Sequence, residues 1–179
     1  MHPVHPKVAN VLEAIDKGYA KEDRGDARQY IGASMAGTDC IAQLALSLRG
    51  YPDTPVDPQL QRIFFAGHKI EDWVVYDLRK RADLRVWEKD DMTGRQHRRE
   101  WLNGHVVCNA DGIVDFEDGT GQAILEVKSM NDNNFKNFQR NGVKSSHRKY
   151  YRQMTMMMAM FGIEQAFFIS YNKNTSEYH

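Results

Sequence analysis

The sequence predicts a mixed α/β domain: helices first, three or four antiparallel strands in the middle, then a helix and a last strand. Three observations carry this. Apolar residues recur at helical spacing through residues 58–81, with Ile63, Phe64, Ile70, Val74 and Leu78 on one side. From there to residue 130 the pattern changes to short runs rich in β-formers, separated by turn residues. The stretch "YYRQMTMMMAMFG" then returns to helix before the apolar run "QAFFISYN", and a parallel crossover is the natural way to bring that last strand back to the sheet.

Taken in order, "VANVLEAIDKGYA" has helical spacing at Val8, Val11, Leu12 and Ile15 and runs into the charged stretch "KEDRGDARQ". "TDCIAQLALSLRG" is a short helix: Thr38 or Asp39 can cap it, Ile41, Leu44, Ala45 and Leu48 face one way, and Gly50 stops it. "YPDTPVDP" holds three of the five prolines and reads as a loop. In the long helix that follows, Gly67 and Glu71 lie within the apolar stripe, and a carboxylate there is unusual. "LRVWEKD" and "RQHRREWL" flank the turn "DMTG" as a hairpin. "GHVVCNADGIVDF" is the next strand, "EDGTGQ" a turn, and "AILEVKSM" a further strand. "NDNNFKNFQRNGVKSSHRK" reads as a short helix and a loop. The whole, 1–179, is expected to be one domain, with an N-terminal helical part at 1–57 and the core at 58–179.

Bulk properties narrow the classes. The 179 residues are 41% apolar and 11% aromatic, enough for a packed core, and 27% charged with a formal net charge of zero. Zero net charge argues against a chain that simply coats nucleic acid, and leaves room for a local basic patch. Two distant cysteines, Cys40 and Cys108, exclude a disulfide framework and a four-cysteine metal or iron–sulfur site, and point to a reducing compartment. No apolar run has the length of a membrane span, and "MHPVHPKVAN" lacks the apolar segment of a secretory signal. A soluble, cytoplasmic protein is expected.

One stretch carries chemistry. In "AILEVKSMN", Glu126 and Lys128 fall on one side of a strand and Ala123, Leu125 and Val127 on the other. By itself, Glu-x-Lys on a strand is an ordinary solvated face. A phosphodiester-cleaving metal site, however, needs hard oxygen ligands that converge, of which Mg²⁺ takes only one or two as carboxylates, with a cation near the attacked phosphate. Asp111 ends an apolar run one hairpin away from Glu126, and the Val127 carbonyl lies between Glu126 and Lys128 as a further oxygen donor. Glu71 could complete the group from the long helix.

The order of these elements resembles the PD-(D/E)XK nuclease superfamily, and within it the phage-type exonucleases related to lambda exonuclease and the RecB nuclease domain. The residues that carry the likeness are "FFAGHKIEDWV" with Glu71, "NADGIVDF" with Asp111, "AILEVKSMN" with Glu126 and Lys128, and "YYRQMTMMMAMFG" with Tyr151 and Gln153. It spans residues 60–175, and the run through "KSMNDNNFKNFQRNGVKSSHRKYYRQM" looks like a phage-encoded group in particular. The resemblance implies a restriction-endonuclease-like central mixed sheet flanked by helices. It implies that Asp111 and Glu126 bind Mg²⁺, with Mn²⁺ able to substitute and one or two ions present. Lys128 would assist the water or the phosphate, Glu71 the metal or its water, and Gln153 and Tyr151 would sit at the rim. Ala110 stands where the family often has proline. Asp115, in "GIVD", fits an alternative ligand pattern; Asp-Gly matches the phage group and favours Asp111.

Other features have ordinary readings beside functional ones. His68 precedes Glu71 by one helical turn, where some relatives use a histidine ligand and where a packed histidine is common. His105 and His147 lack a partner pattern. Met154, Met157, Met158 and Phe161 fit a core stripe. Lys136, Arg140, Lys144, Arg148, Lys149 and Arg152 form a basic stretch that, with Tyr151, can hold DNA phosphates without reading sequence. Arg95, Arg98 and Arg99 could extend that track, and Phe135, Phe138, Tyr150 and Tyr151 could stack on an unpaired base or pack the loop.

The expected function is a Mg²⁺-dependent deoxyribonuclease, an exonuclease processing duplex DNA ends in phage recombination or replication, in the host cytoplasm if phage-encoded. A structure-specific or restriction-type endonuclease is the alternative on the same fold; a non-catalytic DNA-binding module and a plain structural protein are alternatives from other classes. The expected partner is DNA, with no membrane; a single-strand annealing protein and a homo-oligomer rest on resemblance.

Overall fold

The computed structural model describes residues 5–21, 27–51, 56–117 and 119–179. Part of the charged stretch after the first helix, the centre of the proline-rich loop, and Asp118 of the "EDGTGQ" turn therefore lie outside the described residues, as do the first four residues. In chain order the elements are α1 (Pro6–Ala20), β1 (Ile31–Gly32), a 3-10 turn (Ala33–Met35), α2 (Ile41–Leu48), α3 (Pro58–Lys80), β2 (Arg85–Trp87), β3 (Arg98–Trp101), β4 (Val106–Asn109), β5 (Gly112–Asp115), β6 (Gln122–Met130), α4 (Asp132–Ser146), α5 (Arg148–Phe161) and β7 (Gln165–Asn172).

β6 is the spine. It pairs antiparallel with β5 and parallel with β7, in a four-stranded sheet ordered β2-β5-β6-β7. The parallel pairing requires the α4–α5 crossover, as the sequence predicts. Both faces of β6 are covered. Leu125 and Val127 pack with Val74, Val75 and Leu78 of α3 and with Ile169 and Tyr171 of β7. On the other face Ile124 packs with Cys108, Ala110, Met157 and Met160, and Met130 with Phe135 and Phe138. The face that carries Glu126 is thus a buried one, against the ordinary solvated reading of Glu-x-Lys on a strand.

The flanking helices start and stop for local reasons. Asp57 Oδ1 accepts the Leu60 N–H at 3.0 Å at the head of α3, with Pro58 in the first turn and Arg79 and Lys80 in the last. Asn131 Oδ1 accepts the Asn134 N–H at 2.9 Å to cap α4. Gly162, at φ 68°, closes α5.

Four sequence expectations need correction. The run "GHVVCNADGIVDF" is not one strand. It breaks at Ala110 and Asp111, so that β4 joins a second, three-stranded sheet ordered β1-β4-β3 while β5 joins the first. Gly112 permits the switch: a Cβ there would meet the Trp87 carbonyl oxygen at 3.2 Å and Leu125 Cδ2 at 3.3 Å. The mixed four-stranded sheet is the expected central one, and the three-stranded sheet stands beside it. The "DMTG" hairpin holds only through the Lys89–Gln96 bridge, after which its arms part, β2 to β5 and β3 to β4. The segment after β6 is helix rather than helix and loop, broken only at Gly142 (φ 64°, ψ 166°). Finally, neither Thr38 nor Asp39 caps α2. Cys40 holds that position without a side-chain bond, Thr38 donates to Gln43 Oε1 at 3.1 Å, and Asp39 pairs with Arg152. α2 also buries none of its residues, and Ile41 is 81% exposed.

The loop before α2 is seated on the first turn of α5 at Gly37. A Cβ at that position would lie 2.6 Å from Lys149 Cα. Gly37→Ala is expected to destabilise the fold by about 1–3 kcal/mol, read as a lower midpoint in denaturant unfolding at an unchanged slope.

Candidate active site

The β5–β6 register places Gly112 opposite Leu125, so Asp111, one residue before β5, comes beside Glu126. The Val127 N–H donates to Asp111 Oδ2 at 2.9 Å and fixes that carboxylate against β6. Glu126 is 0% exposed. Its Oε1 accepts from Gln153 Nε2 at 2.7 Å, across from α5, and forms an ion pair with Lys128 Nζ. Lys128 Nζ also donates to the Val127 carbonyl at 3.1 Å and lies 5.6 Å from the Tyr150 ring centroid. Glu126 Oε2 is the one buried side-chain oxygen or nitrogen among the described residues without a hydrogen-bond partner.

Glu71 enters from α3 and lines the same cavity as Asp111, together with His68, Asp72 and Gln96; its volume is about 340 Å³. Burial, reinforced by the charge of Asp111, pushes both Glu71 and Glu126 up to about 7. Burial raises Asp111 as well. Burial alone would lower Lys128, but Glu126 and Asp111 outweigh it and hold the amine as ammonium.

These acids are crowded enough to call for a proton or a cation between them. The donors are hard oxygens: one carboxylate of Asp111, the open Oε2 of Glu126, and the Val127 carbonyl, which has two lone pairs and gives one to Lys128. Among the described residues no three His, Cys, Asp or Glu side chains are grouped closely enough to hold an ion by themselves, so the backbone carbonyl and water would have to complete any coordination. Hard oxygens of this kind are what a divalent cation takes alongside water. The residues present therefore fit a divalent metal.

Asp115, the alternative ligand, is at the far end of β5, where its strand neighbours are Arg85 and Gln122 and its Oδ1 accepts the Glu117 N–H at 2.9 Å. Of the basic stretch, Lys136 pairs with Asp132 on α4 at 2.7 Å, Arg140 is exposed on the same helix, and Lys144 lies over the Tyr151 ring. Arg148, Lys149 and Arg152 instead surround a cavity at the start of α5. Arg95, Arg98 and Arg99 line another, which shares Gln96 with the Glu71 cavity. Phe135 and Phe138 are core residues and present no face to a base. His105 and His147 stay peripheral to the acids, as expected, whereas His68 lines their cavity.

One residue escaped sequence reasoning. His97 is buried, its Nε2 bonds the Trp87 carbonyl at 3.0 Å, and its own carbonyl accepts the Ala110 N–H at 3.1 Å. It braces the backbone just before Asp111 from between the two sheets. A single histidine in "RQHRRE" carries no signal of that.

Residues 50–164 match the family model of the YqaJ-like viral recombinase domain, well over half of the chain. The chain belongs to that family. The membership of this YqaJ-like domain bears out the resemblance read from "NADGIVDF" and "AILEVKSMN". Among solved structures, the fold is similar to that of LHK-Exo, an alkaline exonuclease from Laribacter hongkongensis, with a TM-score of 0.56 at 16% identity, over 93% of this chain and 79% of that one. LHK-Exo in complex with dAMP gives a TM-score of 0.58 at 16% identity, over 90% and 78%. At such identity the likeness concerns the fold, and it agrees with the mixed α/β class the sequence predicts. No curated protein matches the chain.

The raised carboxyls have a consequence for stability. A carboxyl that is harder to ionise in the folded chain than in the unfolded one favours folding below its unfolded value near 4.5, and loses that contribution as pH rises through about 7. Metal-stripped protein should therefore lose thermal stability between these values relative to Glu126→Gln, and Mg²⁺ should restore it at pH 8. Parallel melting curves of the two proteins across that range would contradict the assignment.

Proposed function

We propose that this YqaJ-like domain is a divalent-metal-dependent deoxyribonuclease, and specifically an exonuclease that acts on the ends of duplex DNA. The observation that carries this reading is the buried, unpartnered Oε2 of Glu126 beside the pinned carboxylate of Asp111. An isolated oxygen of this kind is costly in a purely structural protein and is what a cation ligand needs. The preference for ends rests on the family and on the likeness to a fold carried by an alkaline exonuclease.

In this reading Asp111, Glu126 and the Val127 carbonyl hold the ion, Mg²⁺ or in its place Mn²⁺, with Glu71 reaching it directly or through water. When bound, the ion supplies Lewis-acid activation of the phosphoryl oxygen and a more acidic water. Each residue then has a task of its own. Gln153 holds Glu126 Oε1 and so aims Oε2 inward. The Val127 N–H keeps Asp111 from turning away. Lys128 keeps an ammonium where negative charge develops on the attacked phosphate. Glu71, raised to about 7, is placed to take the proton of the attacking water as the oxygen–phosphorus bond forms and the bond to the leaving oxygen breaks. Asp115, engaged at the other end of β5, has no part in this.

Digestion of end-labelled linear duplex, with Mg²⁺ or with chelator, tests metal need, chemistry and end preference together. Lys128→Ala leaves Glu126 without its ion pair and should melt lower than the wild type; at a temperature where it is folded it should lose at least about 10²-fold in cleavage rate. Wild-type rates in that variant would remove Lys128 from the mechanism. Cutting of a circular, nick-free duplex would replace the exonuclease with an endonuclease.

A further inference from the structure

Two short connections join the two sheets: residues 88–97 lead from β2 to β3, and Ala110 and Asp111 lead from β4 to β5. His97 is bonded at both. Its Nε2 meets the carbonyl of Trp87, the last residue of β2, at 3.0 Å; a carbonyl only accepts, so Nε2 carries the proton. Its own carbonyl accepts the Ala110 N–H at 3.1 Å, one step beyond the Arg98–Asn109 pair of the β3–β4 ladder. The residue is 8% exposed, so water has little access to either bond.

What these bonds hold belongs to the cavity of the acids. The connection closed by Trp87 and His97 supplies Glu88, Lys89 and Gln96 to its lining, beside Asp111 and Glu71. The Asp111 carboxylate is fixed at one oxygen by the Val127 N–H. Its backbone, however, lies between the ladders: pairing ends at Asn109 on one side and resumes at Gly112 on the other. The direction of the carboxylate therefore depends on where the Ala110–Asp111 peptide is held, and His97 holds it.

We propose that His97 is a positioning residue for the cation site: through its bond to Trp87 it fixes the direction of the Asp111 carboxylate, and with it the affinity for a divalent metal, without touching the ion. The proposal rests on the metal reading of the acids. Without the ring N–H, the Trp87 carbonyl loses that donor, the carbonyl of residue 97 is free to shift, and the Ala110–Asp111 peptide shifts with it. A ligand carboxylate gains affinity from being held in place before the ion arrives. A glutamine can replace the histidine, because its amide nitrogen also donates and stands about as far from the backbone as the imidazole Nε2.

The test is Mn²⁺ binding to the full-length protein without DNA, followed by electron paramagnetic resonance, with each variant first shown to be folded by circular dichroism. His97→Phe, which keeps a ring and loses the donor, should weaken Mn²⁺ binding about 10- to 100-fold. His97→Gln should bind close to the wild type. In an Asp111→Asn background His97→Phe should cost less than about twofold, because the carboxylate it aims is gone. Should His97→Phe fail to fold, His97→Asn takes its place, since the shorter amide falls short of Trp87. Wild-type affinity in the donor-less variant overturns the proposal. So does a loss in His97→Gln as large as in His97→Phe, or an equal loss with and without the Asp111 carboxylate. A wild type that binds no Mn²⁺ removes the metal reading and this proposal together, whereas binding that is the same in wild type and His97→Phe removes the positioning role alone.

Discussion

The structure turns on a carboxylate buried in the central strand. Glu126 is without solvent, and a lone ionised carboxylate in such a place is too costly to persist. Its surroundings are arranged accordingly: an amide from α5, an ammonium two residues along the strand, and a second carboxyl locked to the same stretch of backbone. Glu71, Asp111 and Glu126 bring three acids together with the ammonium of Lys128, and His68 lines the cavity beside them. Burial first, and then the charge of Asp111, makes the glutamates hard to ionise; a doubly charged ion in their midst would ease both.

The scaffold explains how the acids come together although they are far apart in sequence. α3 packs Val74, Val75 and Leu78 on one face of β6, which fixes the helix that carries Glu71 one turn before. α5 packs Met157 and Met160 on the other face, which fixes Gln153. Asp111 belongs to neither layer. It occupies the joint where the chain leaves one sheet for the other, braced by His97 behind and Val127 in front. Such a joint gives a side chain a direction that a regular strand could not.

Much of this was legible in the residues. Period and turn chemistry located the long helix, the late helix and the parallel last strand, and the motif order brought Asp111, Glu126, Lys128, Glu71 and Gln153 forward as a group. What the sequence obscured has a common cause. Glu126 reads as solvent-facing because alternation along a strand says which residues share a face, and cannot say what covers that face. The break at Ala110 was hidden because "VVCNADGIVDF" has the composition of one strand, and only the close approach of Trp87 and Leu125 to Gly112 separates the two. Phe135 and Phe138 looked available for stacking because the helix that buries them was read as partly loop. Asp39 looked like a cap because its partner, Arg152, is distant in sequence.

The parallel pairing of β6 with β7 also governs when the carboxyl cluster can assemble. A ribosome delivers β6 before the amide donor of α5 and well before the strand that seals its flank. Until then Glu126 lacks the Gln153 amide that holds it. The carboxyl cluster is thus complete only once the crossover closes.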